Sequence, residues 1–167
     1  MTISLRPVGP DDQSFLRRVY ASTREAELAN VDWTDEQKAE FVRFQFHAQA
    51  THYRERFPDA AHHVILVDGR QAGRLYVDRR PDEICVVDIA LLPEFRGRGV
   101  GGSLLRDVLA EAERSGCPVT IHVERFNPAQ RLYARLGFVL AEEEGPVYLM
   151  MRWTPGGSGI RCEMERF

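Results

Sequence analysis

The sequence has little of what marks several common protein classes. It has only three cysteines, Cys85, Cys117 and Cys162, which are widely spaced and form no CxxC pair. Neither a disulfide framework nor a zinc knuckle is therefore predicted. Lys38 is the only lysine. No segment is apolar for long enough to span a membrane, and the first residues lack the apolar core of a signal peptide. We expect a cytoplasmic protein that has no membrane partner.

The charge balance excludes a general preference for nucleic acid. The chain has 22 Lys and Arg against 25 Asp and Glu, a net charge of −3, and its basic residues are spread along the sequence. Such a balance gives no attraction to phosphate backbones, so no nucleic-acid partner is expected. The histidines occur in no H-E-x-x-H context, so no metal site is predicted. With 167 residues, 44% of them hydrophobic, the chain is suited to one globular domain with its own core.

Hydrophobic periodicity and turn residues predict the element order β, α, α, β, β, β, α, β, α, β, β. This order implies an α/β fold of the α+β kind, with a mixed, mostly antiparallel sheet of about seven strands and helices on both faces. Thr34 and Gln37 form a capping-box pattern that predicts the start of the second helix. A short helix is predicted over residues 128–136, with Gly137 just past its end. Residues 142–145 are predicted to be an acidic turn between the last two strands, and the last strand, residues 147–153, is expected near an edge of the sheet. The predicted domain covers residues 1–153, and residues 154–167 form a tail that is either flexible or docked as an extra strand.

A glycine-rich turn follows the longest apolar strand and precedes a helical pattern. Its residues are Arg96, Gly97, Arg98, Gly99, Val100, Gly101 and Gly102. Convergent backbone N–H groups at a helix start bind anions, and the two arginines add positive charge. The alternative is an ordinary flexible turn, since short glycine motifs often occur by chance. The turn is no Walker loop, because it lacks the Gly-Lys-Ser/Thr ending, and it has no Rossmann context.

Two stretches together resemble a known family. Arg96-x-x-Gly99-x-Gly101 is similar to the acyl-CoA-binding signature of the GNAT superfamily of N-acyltransferases. The stretch from Asn127 to Phe138, NPAQRLYARLGF, resembles the second motif of that family. The chain is thus identified as similar to the acyl-CoA-dependent N-acetyltransferases of the bacterial stand-alone type. The resemblance covers about residues 3–153.

The resemblance implies acetyl-CoA (coenzyme A) as the cofactor and a parallel strand pair that splays apart at its site. The turn would hold the pyrophosphate, with arginine pairing to phosphate oxygens, and the strand edge would bind pantetheine. Asn127 would cap a helix and also contact the cofactor. The residues expected to bind the cofactor are Ile89, Ala90, Leu91, Leu92, Arg96, Gly97, Arg98, Gly99, Val100, Gly101, Gly102, Asn127 and Tyr133.

Three residues are candidates for proton transfer in acyl transfer to an amine. Tyr133 stands where the family commonly has its general acid, and a phenol of ordinary pKa about 10 is protonated at neutral pH. The alternative for Tyr133 is a core aromatic. Asp88 is the one charge inside an apolar strand, where burial favours the neutral form, as a general base requires. An ion pair with an arginine is its equal alternative. Glu124 is a weaker candidate for the base.

The acceptor is expected to enter beside the first two helices. Trp33 and Tyr53 from that region, and His122, which shares a strand face with Glu124, are the candidate substrate-binding residues. The predicted function is N-acetyl transfer from acetyl-CoA to a primary amine of a small molecule or peptide. The alternatives are a non-catalytic acyl-CoA-binding or regulatory module and an acetyltransferase of protein N-termini or lysines. Unpaired sheet edges make a homodimer a further possibility.

Overall fold

The computed structural model describes residues 1–156. Its strands are β1 (Ile3–Pro7), β2 (Ala61–Val67), β3 (Arg70–Arg79), β4 (Ile84–Leu91), β5 (Val119–Glu124), β6 (Val139–Glu144) and β7 (Tyr148–Trp153). Its helices are α1 (Gln13–Leu28), α2 (Asp35–Arg56), α3 (Val100–Ser115) and α4 (Gln130–Arg135), with short 3-10 turns at Pro10–Asp12 and Pro93–Phe95. The predicted element order is confirmed. The predictions for the end of the tail concern residues 157–167, which lie outside the described part.

The seven strands form one sheet in the order β1-β2-β3-β4-β5-β7-β6. β4 and β5 run parallel, with Ile84–Val86 opposite Val119–Ile121, and β4 continues beyond this ladder to Leu91. The pairs β1–β2, β2–β3, β5–β7 and β6–β7 are antiparallel. The mixed, mostly antiparallel sheet is therefore as predicted. β7 lies near one edge of the sheet, as expected, with β6 as the edge strand beside it.

The described chain divides into two compact units. One consists of Met1–Asp78 and Val87–Gly101, and the other of Arg79–Val86 with the chain from Gly102 onward. In the first unit, α1 packs on α2, and the buried side chains of α1 are spaced by helical periodicity. In the second, the buried face of β5 is apolar. Among residues 1–156, no helix has the length and apolarity that a bilayer crossing needs.

Local side-chain contacts fix the starts of the first two helices. The Thr34 hydroxyl accepts from the backbone N–H of Gln37 (3.1 Å), and the Gln37 side chain accepts from the N–H of Thr34 (2.9 Å). This is the capping box that the sequence predicts for α2. Before α1, the buried carboxylate of Asp12 accepts from Arg6 and from the N–H of Gly9. These bonds hold the pKa of Asp12 at about 2.

Two predicted boundaries are wrong. The acidic residues 142–144 belong to β6 and pair with β7, and the reversal comes at Gly145, which has a φ of +71°. Cross-strand pairing therefore overrides the low strand propensity of the glutamates. The helix expected over residues 128–136 is only Gln130–Arg135, because the Asn127 side chain accepts from the N–H of Ala129 and closes a separate turn.

β3 and β4 approach each other closely at Gly73. A Cβ placed on Gly73 would lie far inside van der Waals contact with the carbonyl oxygen of Ala90, and 3.0 Å from Cα of Leu91. Ile65 and Leu66 of β2 lie opposite Gly73 and Gln71, so Ala72 is an extra residue that forms a β-bulge on β3. Beside this bulge only glycine fits against the β4 backbone, so Gly73 determines the position of the end of β4.

We predict that Gly73→Ala lowers the free energy of unfolding by about 2–3 kcal/mol, because the new methyl group must push on backbone atoms that cannot rotate away. Chemical denaturation of both proteins measures the change. Gly9→Ala is the matched control, since its Cβ would make only an ordinary 3.8 Å contact with Asp12. Equal stability of Gly73→Ala and wild type would contradict the close approach.

Candidate functional site

The glycine turn presents open backbone at the start of α3. Gly97 and Gly99 have φ values of +70° and +82°, and no atom lies within 4 Å of a Cβ placed on either. Phe95 and Val100, which are 2% and 1% exposed, anchor the two ends of the turn in the core. The first N–H groups of a helix have no partner inside the helix and carry partial positive charge. The turn therefore fits a phosphate group that approaches from the open side.

Arg98 and Arg96 differ in what their side chains contact. Arg98 is exposed, and its guanidinium lies 5.9 Å from the centre of the Phe95 ring. Arg96 instead donates through Nε to the carbonyl of Leu91 (2.8 Å) and through Nη2 to the hydroxyl of Ser22 on α1 (3.1 Å). The sequence predicts phosphate pairing for both arginines, and the structure gives Arg96 two partners within the protein.

The end of β4 has one edge on β3 and one edge turned away from it. Leu92 donates to the carbonyl of Ala72 (2.8 Å), and the carbonyl of Ala90 lies over Gly73, so both face β3. Because backbone groups alternate along a strand, those of Ile89 and Leu91 face the opposite edge. The Leu91 carbonyl accepts from Arg96. The backbone N–H and carbonyl of Ile89 and the N–H of Leu91 are the other polar groups that face this edge. Of the four residues expected to bind pantetheine, Ile89 and Leu91 have backbone groups at this edge, and the binding role of all four stays a prediction.

α4 packs against α3 at Gly102. The side chain of Leu132 on α4 lies 3.5 Å from the position of a Cβ on Gly102, in the first turn of α3. The contact places Leu132, the neighbour of Tyr133 in the chain, beside the first turn of α3.

A Schellman motif holds Tyr133 in place. Phe138 donates its N–H to the carbonyl of Tyr133 (3.0 Å), and Gly137, with a φ of +102°, donates to Ala134 (3.1 Å). The rings of Tyr133 and Phe138 are 6.0 Å apart, and Tyr133 is 4% exposed. The glycine expected after α4 is thus confirmed. Tyr133 is therefore a packed core aromatic residue, as its alternative interpretation predicts. This packing is compatible with the predicted role as general acid.

Asp88 lies in the ion pair that its alternative interpretation predicts. Its carboxylate accepts from Nη2 of Arg74 on β3, which also donates to the side chain of Gln49 on α2 (2.6 Å). Arg74 is 4% exposed, and Asp88 is 23% exposed. The sequence did not identify Arg74 as the partner of Asp88. Arg74 is nevertheless the one cation in the apolar centre of β3, as Asp88 is the one anion in β4. The role of Asp88 as base stays a prediction.

Aromatic side chains surround this ion pair. The guanidinium of Arg74 lies 5.8 Å from the ring centre of Tyr53, and Tyr53 meets the ring of Tyr76 at 5.4 Å. His62 lies against Tyr76 with ring centres 4.3 Å apart. Burial, followed by the charge of Arg74, lowers the pKa of His62 to about 4, so its imidazole is neutral at pH 7. Tyr53, a predicted acceptor residue, is therefore part of a packed cluster around Arg74.

The other predicted acceptor residues have contacts of their own. Trp33 packs edge-on against Phe41 (5.3 Å) and is 42% exposed, beside an open depression of about 400 Å³ that Phe44 also lines. His122 and Glu124 lie on the half-exposed face of β5, as strand alternation predicts. Nδ1 of His122 is bonded to the carboxylate of Glu144 (2.7 Å), a partner that sequence spacing does not reveal.

Sequence and fold comparisons agree with this geometry. Residues 19–138 match the sequence profile of the Acetyltransferase (GNAT) family. The chain belongs to this family. The match covers the helical region before the sheet, the glycine turn and the whole Tyr133 motif. Within residues 1–156, no group of three or more His, Cys, Asp or Glu side chains is arranged to hold a metal ion.

Individual relatives are similar over different lengths. Over 63 residues, 36% of this chain, the sequence is 44% identical to the mycothiol acetyltransferase of Corynebacterium aurimucosum, but the match spans only 20% of that protein. PaiA N-acetyltransferase from Thermoplasma acidophilum, solved with coenzyme A, superimposes with a TM-score of 0.68 at 17% identity, over 92% of this chain and 99% of that one. Arabidopsis thaliana Naa50, solved with the bisubstrate analogue CoA-Ac-MVNAL, superimposes with a TM-score of 0.58 at 15% identity, over 92% of this chain and 99% of that one. These two similarities show a shared fold.

We predict that Asp88→Asn lowers the free energy of unfolding by about 3 kcal/mol, because it leaves the Arg74 guanidinium buried without its counter-charge. Thermal and chemical unfolding measure the loss. Glu27→Gln, which breaks the exposed Arg24–Glu27 pair (2.9 Å), is the control and should change stability by less than about 0.5 kcal/mol. A rate–pH profile recorded on the same variant decides the second role: an unchanged profile excludes Asp88 as the base.

Proposed function

We propose that the chain transfers an acetyl group from acetyl-CoA to the primary amine of a small molecule or peptide, by direct attack in a ternary complex. The observation that carries the proposal is the packing of Leu132 against Gly102, which joins the helix of Tyr133 to the start of α3. An anion-binding helix start with a phenol-bearing helix beside it is what such a reaction requires. Family membership supports the same reaction class.

The donor is held by backbone more than by side chains. In this proposal the N–H groups from Arg98 to Gly102 bind the pyrophosphate, and Arg98 supplies a mobile positive charge. The edge groups of Ile89 and Leu91 pair with the pantetheine amides as a neighbouring strand would. Arg96 acts indirectly, by tying the end of β4 to Ser22. Asn127 holds the turn that leads into α4.

When bound, acetyl-CoA supplies an activated acetyl group with a thiolate as its leaving group. Tyr133 holds a proton on its phenol oxygen and delivers it to the departing sulfur. The Schellman motif holds the backbone of Tyr133, and its ring packs 6.0 Å from that of Phe138, which supports a phenol that needs little rearrangement when the donor binds. The acceptor amine approaches from the side of Trp33 and Tyr53.

We expect Gly99→Trp to weaken coenzyme A binding by at least about tenfold, or 1.4 kcal/mol, because the indole would fill the open side of the turn. Isothermal titration calorimetry with coenzyme A measures the effect. Gly116→Trp is the matched control: Gly116 ends α3 with a φ of +69° and similarly open space, so it carries the same backbone strain far along the helix. Equal loss in both variants would exclude a pyrophosphate site at Gly99. Absence of binding to wild type would refute the proposed function.

Replacing the phenol tests catalysis separately from binding. Tyr133→Phe should lower kcat by about 100-fold and leave the KM for acetyl-CoA unchanged, since the ring packing on Phe138 is kept. Tyr20→Phe, which removes another buried phenol (4% exposed) on α1, should retain full turnover. Unchanged kcat in Tyr133→Phe would remove Tyr133 from the role of acid.

The same measurements distinguish the competing functions. A non-catalytic acyl-CoA-binding module would bind coenzyme A and release no thiol from acetyl-CoA with any amine. An acetyltransferase of protein N-termini or lysines would use short peptides and ignore small amines. Thiol release measured over a panel of aliphatic amines, amino-acid amides and short peptides, corrected for hydrolysis of acetyl-CoA, separates all three.

A further inference from the structure

An open groove of about 580 Å³ lies between α1 and α2, within the first unit. Pockets that bind small molecules have volumes of about 300–1,000 Å³. Residues at a spacing of three or four over positions 14–29 of α1 line one wall, and residues within positions 38–43 of α2 line the other. Side chains at this spacing share one helix face. The groove is therefore a continuous surface with enough room for a small molecule.

The floor of this groove is apolar. Val42 on α2 is 7% exposed, and Ala21 and Leu28 on α1 are half-buried. Covering apolar surface with the carbon skeleton of a ligand is favourable in proportion to the area that is removed from water. The floor therefore favours a ligand that has an apolar part.

Positive charge surrounds the floor. Within the 156 described residues, Glu25 is the one acidic residue that lines the groove, and it forms an ion pair with none of the four basic ones, Arg17, Arg18, Lys38 and Arg43. The whole chain, in contrast, has a net charge of −3. A cleft lined by one sign of charge raises the local concentration of ligands of the opposite sign. The groove therefore favours an anion.

The basic side chains of the groove have no carboxylate partner. Over the described part of the chain, the side chains of Arg17, Lys38 and Arg43 form no ion pair or hydrogen bond. The guanidinium of Arg18 lies over the Phe15 ring (5.4 Å). Lys38, the only lysine of the chain, is half-buried. Partial burial of a charge without a counter-charge is costly, and a bound anion removes this cost.

We propose that the groove between α1 and α2 binds a small organic phosphate, with the phosphate group among the basic side chains and the carbon skeleton on the apolar floor. The guanidinium fork of arginine matches two phosphate oxygens at once. A phosphate monoester carries close to two negative charges above its second pKa of about 6, whereas a carboxylate offers one charge to four cations. The inference does not depend on the proposed acetyl transfer.

Isothermal titration calorimetry of the full chain with phenyl phosphate, at about pH 8 where the probe is a dianion, tests the site. We expect saturable binding of one phenyl phosphate per chain. Phenol has the ring without the charge and should not bind. Inorganic phosphate has the charge without the ring, so its Kd should be about tenfold higher than that of phenyl phosphate.

Charge variants locate the binding. Lys38→Gln and Arg43→Gln should each raise the Kd for phenyl phosphate at least about fivefold, because each removes a cation from the groove. Glu25→Gln should lower the Kd about twofold, because it removes the one negative charge. A change that merely loosened the groove would raise the Kd instead. Arg54→Gln is the matched control, since Arg54 is exposed on α2 outside the groove, and it should leave the Kd unchanged.

The glycine turn is the competing anion site, and Gly99→Trp separates it from the groove. This variant fills the open side of the turn and should bind phenyl phosphate as wild type does. The inference is overturned if wild type shows no saturable binding, or if Gly99→Trp abolishes it. It is also overturned if Lys38→Gln and Arg54→Gln raise the Kd equally, because attraction to the basic surface in general then explains the binding. Failure of the proposed function would appear separately, as absent coenzyme A binding with phenyl phosphate binding retained.

Discussion

The close contact between Gly73 and the backbone of Ala90 is the constraint on which the donor side of this protein depends. It holds the last residues of β4 against β3. The backbone groups of Ala90 and Leu92 face β3, and those of Ile89 and Leu91 therefore face the opposite edge. The glycine turn starts directly after this fixed strand end. Arg96 then bonds back to Leu91 and across to Ser22. The position of the end of β4 therefore determines the positions of the strand edge and of the glycine turn, and Arg96 links both to α1.

In the second unit, contacts of the short helix α4 with its neighbours fix its position. α4 is only six residues long and would be unstable alone. Its position is fixed by Leu132 against Gly102 at one end and by the bonds of Gly137 and Phe138 at the other. The Tyr133 ring on this short helix is 4% exposed and packs against the Phe138 ring.

The fold was predictable because its signals are local. The Thr34 capping box, the glycine after α4 and the apolar run of β4 each act within a few residues, and each predicted its element correctly. The motifs also predicted a site at the start of α3. The acidic residues of β6 were mistaken for a turn because their strand is stabilised by pairing with β7, a non-local effect that propensity does not contain.

The missed partners share the same cause. Arg74 and Asp88 are separated by 14 residues, Arg96 and Ser22 by 74, and His122 and Glu144 by 22. Sequence shows that the charge of Asp88 is costly inside its apolar strand, but strand register and helix packing decide which partner each of these residues meets. The ion pair at Asp88 was foreseen as an alternative without its arginine being named. The bond from Arg96 to Ser22 had no signal in the sequence.

Strand β6 has no buried residue along its entire length. Substitutions there remove little apolar contact, so the free energy of unfolding places almost no restriction on which side chains β6 carries. The opposite holds at Gly73 and Arg74, where packing admits few alternatives. A lineage of such chains can therefore change the chemistry of the β6 surface by single substitutions while the donor side remains the same. In evolutionary terms, β6 is the part of this domain that is free to vary.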